Sequence, residues 1–343
     1  MLPKILGMLS DDVAIDLGTA NTLVYIKGRG VVLNEPSVIA VMQDRGKERV
    51  LAVGEEANRM IGRTPDAIRA TRPIRGGVIA DFEIAQEMIR LFVRKAHKGR
   101  RTGSPRIIIS VPFGATAVDR RAIREAAETA GARQVFLIEE PIAAAIGANL
   151  PVTEPTGSMV IDIGGGRTEV AMLSLGGIVS ARSIDIGGFS LDEAIAGYVR
   201  HAHNLLIGDA TAERIKKEIG CAMPPPDSSG KTLEVRGRDL RSGIPKSLII
   251  SESQITEAIA EPIGAIIDCV RRTLENAEPE LAADIVDRGI VMTGGGSLLH
   301  NLDAVVAQAT GLTVFVAEDP LTCCVRGAGI ALEELKTLQS AVE

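Results

Sequence analysis

A chain of 343 residues is long for one hydrophobic core and suits two domains of ordinary size. Charged residues at 24% and hydrophobic residues at 45% are the balance of a globular chain, and with aromatics at 2% and no Trp the core has to be packed from Val, Ile, Leu and Ala. A net charge of −6 excludes general nucleic-acid binding through a broad basic face, no apolar run reaches the roughly 18–20 residues of a spanning helix, and the four cysteines form neither a C-x-x-C site nor a disulfide framework, which points to a reducing cytoplasm.

In chain order, residues 1–10 are apolar with one lysine, too short and too lightly charged for a secretory signal. Two readings stay open: an amphipathic helix with Ile5, Leu6, Met8 and Leu9 in a lipid interface, or a packed or disordered terminus. Strand-like runs at 13–15, 23–26, 31–33 and 37–41 then alternate with glycine turns. The spacing of Phe82, Ile84, Ala85, Met88, Ile89, Phe92 and Val93 predicts a helix over 82–97. A buried strand is expected at 106–112, an alanine-rich helix at 117–130, a strand at 135–138, and a helix over 141–148 with Pro141 in its first turn. The pattern restarts with strands across 159–173 and helices at 191–206 and 209–219. Residues 222–245 read as an exposed connection followed by a short sheet. A helix at 252–277, a strand at 289–292, a helix at 298–309, a strand at 313–316 and a helix from about 323 to 335 complete an α/β order with a mixed sheet.

Two segments read almost as copies. Asp16-Leu17-Gly18-Thr19-Ala20-Asn21-Thr22-Leu23-Val24 aligns without gaps on Asp162-Ile163-Gly164-Gly165-Gly166-Arg167-Thr168-Glu169-Val170. Each lies between two apolar runs, which describes a β-hairpin whose glycine-rich tip exposes backbone N–H groups. Such donors suit phosphate oxygens. Asp16 and Asp162, where the strands converge, are poor ligands for an anion but good ones for Mg²⁺, directly or through water. Two ordinary glycine turns would not require the repeated Asp and Thr. A duplicated pair of domains gripping one polyanion and its metal from both sides is the better reading.

Thr293-Gly294-Gly295-Gly296-Ser297 is a third glycine turn, placed to admit a flat ring or a phosphate at a helix start, although strand-to-helix turns use glycine for geometry anyway. No Walker A loop and no G-x-G-x-x-G fingerprint occurs. Glu139 and Glu140 stand where a strand meets a helix; a carboxylate there either orients a water attacking a terminal phosphate or favours the helix dipole. His201 and His203, at i and i+2, face apart and read as exposed helix histidines rather than metal ligands. The basic run 94–101 is either a solvated helix end or, beside the apolar terminus, a cationic contact for anionic lipid.

These motifs, in this order, resemble those of the superfamily of actin, hexokinase and heat-shock chaperone ATPases. Asp16 to Asn21 is similar to its first phosphate loop, Asp162 to Thr168 to its second, Leu137 to Gly147 and Arg326 to Ala331 to its connecting helices, and Gly294 to Ser297 to its adenosine motif. Leu33-Asn34-Glu35-Pro36-Ser37, Gly77-Val78-Ile79-Ala80-Asp81-Phe82, Glu140-Pro141-Ile142-Ala143-Ala144-Ala145-Ile146-Gly147 and Ala212-Glu213-Arg214-Ile215-Lys216-Lys217-Glu218-Ile219-Gly220 narrow the resemblance to the MreB family of bacterial actin homologues, over residues 10–335.

The resemblance implies an actin-like (ribonuclease H-like) α/β fold of duplicated domains, with four subdomains around a nucleotide cleft. Residues 1–34, 71–150 and 323–343 would form subdomain IA, 35–70 IB, 151–186 with 246–322 IIA, and 187–245 IIB. ATP and Mg²⁺ are the implied cofactors. Gly18, Thr19, Ala20, Asn21, Gly164, Gly165, Gly166 and Arg167 would hold phosphates. Glu213, Arg214, Ile215 and Lys216 would approach ribose and adenine, with Gly294, Gly295, Gly296 and Ser297 closing over the base. Glu140, which directly precedes the proline, matches the water-activating carboxylate. With Asp162 and Thr168 it makes the implied catalytic set, and Asp16 and Asp162 position the metal.

Arg167 departs from the pattern, because the family usually has threonine there to help hold the attacking water. Either its guanidinium points at the γ-phosphate or it turns out into solvent, and hydrolysis is either slowed or retained. The implied function is cytoskeletal: ATP-dependent polymerisation into antiparallel double filaments, with helix 117–130 in the lateral face. Those filaments would lie peripherally on the cytoplasmic face of the inner membrane, contacting anionic lipid and the cell-wall elongation machinery that makes peptidoglycan, with no nucleic-acid partner. Alternatives within the superfamily are a chaperone-type ATPase, expected to carry a substrate-binding region beyond residue 343, and a small-molecule kinase. The short connections at 34–70 leave the kinase little room for an acceptor site.

Overall fold

The structure, a computed structural model, describes residues 12–44, 47–97, 104–226, 230–335, 337–338 and 341–343. Two five-stranded sheets carry it, and both follow one plan. In the first the spatial order is Gln134–Glu139, Arg106–Val111, Val13–Leu17, Asn21–Ile26, Gly30–Pro36. In the second it is Val314–Val316, Ile290–Thr293, Ser158–Ile163, Thr168–Ser174, Gly177–Ile184. In each, the last three strands form an antiparallel meander and the first two join it in parallel. The duplication visible in the hairpin tips therefore extends to whole sheets. Each half adds a three-stranded sheet: Lys47–Val53, Ile39–Asp44 and Ile68–Thr71 in one, Leu205–Leu206, Thr232–Asp239 and Pro245–Ser251 in the other.

Strand alternation decides what each sheet shows to each side. Val13, Ile15 and Leu17 enter a core shared with the helix Phe82–Ala96, while Ala14 and Ile108 face the other way. Likewise Met159, Ile161 and Ile163 enter the core of the second half, and Val160 faces away from it. The outward residues of both sheets meet the helices Glu140–Gly147 and Cys323–Glu333 in a third apolar cluster between the halves. Asp16 and Asp162 share the parity of Ala14 and Val160, so both point into that interval.

The two central helices touch through their backbones. A Cβ on Gly147 would lie 1.8 Å from the Cys323 carbonyl oxygen, and one on Gly327 would lie 1.8 Å from that of Ala143. Ala143, Ala144, Ala145, Ala328 and Ala331 are fully buried around this crossing, so small side chains set its spacing.

Most expected elements appear within a residue or two of their predicted ends. The helix expected at 252–277 is instead two, Glu252–Ala258 and Ala260–Leu274. Pro262 cannot donate to the Ala258 carbonyl, and its ring pushes against it. The helix expected from 298 begins only at Leu302, after a tight 3₁₀ turn at Gly295–Leu298.

Adding one methyl group at two glycines should have opposite effects. Gly327→Ala is expected to cost roughly 1–3 kcal/mol through overpacking at the helix crossing. Gly197→Ala, within the helix Gly188–His203 and with nothing inside 4 Å, is expected to gain roughly 0.5–1 kcal/mol. Thermal and denaturant unfolding of the two variants checks both signs.

Candidate functional site

The hairpin tips face each other across a cleft of about 590 Å³ lined by both halves. Gly18, Thr19, Ala20 and Asn21 form one lip, and Gly164, Gly165, Gly166 and Arg167 the other. The lips are close enough that a Cβ on Gly165 would stand 2.5 Å from the Ala20 Cβ, so glycine is required there. Among the described residues, the amides of Thr19, Ala20, Gly165 and Gly166 donate to no protein acceptor. They are free donors aimed around a common space. Asn21 turns its amide to Asn34 (Nδ2 to Oδ1, 2.8 Å).

Asp16, Glu140 and Asp162 form the floor. Each aspartate accepts from a hydroxyl on the neighbouring parallel strand: Asp16 from Ser110 at 2.9 Å and Asp162 from Thr293 at 2.6 Å. Burial still dominates. It raises Asp16 to about 6, against the Ser110 hydrogen bond and with the Asp162 charge adding to the rise. It raises Asp162 as well, against the Thr293 hydrogen bond. Burial, then Glu169, Asp16 and Asp162, push Glu140 well above the usual carboxylate range, with Arg167 opposing. Glu169 rises to about 8 through burial and then Asp162, opposed by Arg167 and by hydrogen bonds from Phe113 N–H and Ser183. Its Oε1 accepts from Phe113 N–H at 3.0 Å, while Oε2 is buried without a partner.

Asp16 and Asp162, with Glu140 beside them, offer carboxylate oxygens, the donor chemistry a hard divalent cation takes. Free amides above them match phosphate oxygens. Mg²⁺ and a polyphosphate therefore fit the residues present.

The structure separates the two adjacent glutamates. Glu139 turns away to Arg120 (2.8 Å), whereas Glu140 lines the cleft. Glu213 and Lys216 also line it, with Lys216 Nζ donating to Asp192 and to the Gly188 carbonyl at 2.9 and 2.8 Å. Arg214 and Ile215 do not. On the helix Asp209–Ile219, positions 213, 216 and 217 share a face, which turns Arg214 to the Glu234 carbonyl and Ile215 into the core. Gly294, Gly295 and Gly296 line the cleft beside Leu298, Leu299 and Leu321, but Ser297 does not; buried, its Oγ donates to the Gly294 carbonyl to close the turn.

Thr168 does not line the cleft. Its hydroxyl is fully buried and donates to the Ile186 carbonyl at 2.7 Å, because alternation puts Thr168 on the same side as Val170, in the core. Arg167 follows neither of its two expected courses. It lines the cleft while Nε and Nη2 donate to Asp185 Oδ1 at 3.1 and 2.9 Å.

His201 is exposed, and His203 packs its ring edge-on to Tyr198 at 6.0 Å. No group of three or more His, Cys, Asp or Glu side chains is placed to hold a metal ion among the described residues, so a cation at the cleft floor would take two carboxylates, with water and phosphate oxygens completing its shell. Residues 1–10 and positions 98–101 of the basic run lie outside the described residues.

Several site residues escaped the sequence reading. Ser110 and Thr293 become partners of the aspartates only through parallel strand pairing. Glu169 lay inside the repeat but was given no role. Gly77 donates its N–H to Thr19 Oγ1 at 2.9 Å within the first half, and Arg72 stacks on Phe189 at 5.0 Å, a contact that crosses the mouth between the halves. Cys324 lines the cleft beside Asp16 and is buried.

Two duplicated mixed sheets, packed on a shared helix pair and closing glycine hairpins over an acidic floor, define an actin-like α/β protein. A family model described as MreB/Mbl protein matches residues 10–340. The cell shape-determining protein MreB of Escherichia coli (strain K12) is 56% identical over 336 residues, 97% of this chain and 96% of that one. The crystal structure of MreB5 of Spiroplasma citri bound to ADP superposes with a TM-score of 0.89 at 37% identity, over 95% of this chain and 97% of the other. The same protein bound to AMPPNP gives 0.88 at 36%, with the same coverage. The chain belongs to the MreB/Mbl family.

The raised acids set a sign for pH dependence. Glu169 has an ordinary value of 4.5 and stands at about 8 in the fold, so between these values the native state holds more protons than the unfolded one. Stability in metal-free buffer is therefore fully present at the acidic end and lost as pH rises through that window. Glu169→Gln, which keeps an acceptor but no charge, should melt at least about 3 °C above the parent at alkaline pH and converge with it at acidic pH. Melting curves in chelator across the window test this.

Proposed function

We propose that this chain is a cell-shape-determining cytoskeletal protein that binds ATP with Mg²⁺ and polymerises into paired antiparallel filaments. These would lie on the cytoplasmic face of the inner membrane and direct peptidoglycan synthesis during rod elongation. The observation that carries the reading is the pair of opposed glycine tips, with free amides above a buried carboxylate floor. The ADP and AMPPNP complexes of the Spiroplasma relative support the choice of nucleotide.

Mg²⁺, held by Asp16 and Asp162, would supply charge neutralisation to the polyphosphate. The amides of Thr19, Ala20, Gly165 and Gly166 orient phosphate oxygens without desolvating a charge of their own. Glu213 and Lys216 flank the ribose end, and Gly295, Gly296 and Leu321 give a flat apolar wall for the base. Glu140, when ionised, takes the proton of an attacking water. Arg167 lacks the hydroxyl that would help hold that water, so hydrolysis is slow. Gripping one ligand from both sides draws the halves together, which biases the chain toward its polymerising shape.

Val118, 76% exposed on the helix Ala117–Thr129, supports a lateral contact on that face. Lipid contact through residues 1–10 and the basic run rests on sequence alone. Membership of the MreB/Mbl family favours this reading over a chaperone-type ATPase or a small-molecule kinase.

Pelleting with electron microscopy and phosphate release tests the reading. Wild type should sediment as filaments with ATP and remain in the supernatant without nucleotide. Glu140→Ala should still sediment but release phosphate roughly 100-fold more slowly, and Arg167→Thr should release it faster than wild type. Absence of ATP-dependent polymer in wild type would sink the proposal.

A further inference from the structure

Arg167 is where the two hairpins differ most, and the chain supplies its guanidinium with a partner. Nε and Nη2 both donate to one oxygen, Asp185 Oδ1, at 3.1 and 2.9 Å. That is not the parallel two-oxygen fork of a strong Arg–carboxylate pair. The exposures are unequal too: the Arg167 side chain is 22% accessible and that of Asp185 80%. A carboxylate so well solvated holds an arginine weakly.

The same guanidinium stands at the seam between the halves. Arg167 directly follows the Gly164-Gly165-Gly166 tip and lines the cleft. Across the seam is the turn of the hairpin formed by Ile74–Arg75 and Val78–Ile79. A Cβ on Gly76, whose φ is +53°, would lie 3.4 Å from Arg167 Nη2 and 3.6 Å from Asp185 Oδ1. Next to it, Gly77 bonds Thr19 of the first lip, and a Cβ there would lie 3.5 Å from Glu140 Oε1. Arg167 is thus held at the rim between the tip that takes phosphates and the turn that overlies Glu140.

Two acceptors can compete for this one cation. Asp185 offers a single charge in water. A terminal phosphate would offer three oxygens and more charge, away from solvent, where charge-assisted hydrogen bonds are strongest. A diphosphate also ends in such a group, but one phosphate short of the position that a third phosphate would reach.

We propose that Arg167 is a terminal-phosphate sensor held in reserve by Asp185, exchanging the carboxylate for the last phosphate of a nucleoside triphosphate and so making the chain discriminate tri- from diphosphate. This rests on the nucleotide reading given above. Asp185 acts through Arg167 and is a positioning residue. The exchange also withdraws the guanidinium from Gly76, which links occupancy of the cleft to contact across its rim.

Equilibrium binding of ADP and AMPPNP, with Mg²⁺, to the full chain and three variants decides the matter. Arg167→Thr should weaken AMPPNP about tenfold and leave ADP within about twofold. Asp185→Asn, at an exposed position with little bearing on folding, should tighten AMPPNP about threefold and leave ADP unchanged. The double variant should match Arg167→Thr alone, since Asp185 has no effect without its arginine. An AMPPNP to ADP ratio within twofold of wild type in both single variants overturns the proposal. So does equal weakening of both nucleotides by Arg167→Thr, or additive effects in the double variant. Failure of the wild type to bind either nucleotide instead overturns the nucleotide reading itself.

Discussion

Asp16, Glu140, Asp162 and Glu169 crowd into one water-poor interval between two sheets, and the rest of the cleft is arranged around that repulsion. Burial is the largest influence on each of the four, and the neighbouring acids push the same way on Asp16, Glu140 and Glu169. The protein answers with neutral donors: Ser110, Thr293, Ser183 and the Phe113 N–H. Such donors orient carboxylates without discharging them. Burial without a full counter-charge favours the protonated forms of these acids, and on the function proposed above a bound cation would relieve that cost.

The duplication supplies a symmetric frame, and function comes from where the copies diverge. Asp16 pairs across its hairpin with Leu23, and Asp162 pairs with Glu169 in the same register position. One half therefore places an apolar wall in the cleft where the other places a fourth acid. Glu169 uses that position to accept from Phe113 of the opposite half, making it a tie between the halves as well as a charge. The helix crossing at Gly147 and Gly327 fixes the distance over which these ties act, because two backbones in contact cannot approach further.

The local part of this arrangement was legible in the sequence. A glycine tip after an Asp-ended strand has a short-range signature, and its repetition exposed the duplicated frame. Parity carried more than was taken from it. Thr168 is two residues from the core residue Val170, so its side chain was bound to turn inward, and Arg214 and Ile215 were bound to leave the face shared by Glu213 and Lys216. What could not be read were contacts made by distant strands and turns. Ser110 lies 94 residues from Asp16 and Thr293 lies 131 from Asp162, and no local pattern announces either pairing. The crossing contact of Arg72 with Phe189 depends on how the halves face one another, which is a property of the packed helix pair.

Arg167 brings two opposed influences to the same chemistry. Its charge favours the ionised form of Glu140, the form that accepts a proton, and does the same for Glu169. Its side chain also takes the place of a hydroxyl that would help fix a water. These effects differ in how sharply they fall off. The charge is divided between two glutamates, partly spent on Asp185, and is the weakest of the influences acting on Glu140. Fixing a water is a matter of geometry, and no longer-range field replaces a missing hydrogen bond. On the function proposed above, the loss outweighs the gain, and we expect this hairpin to hold a triphosphate better than it cleaves one.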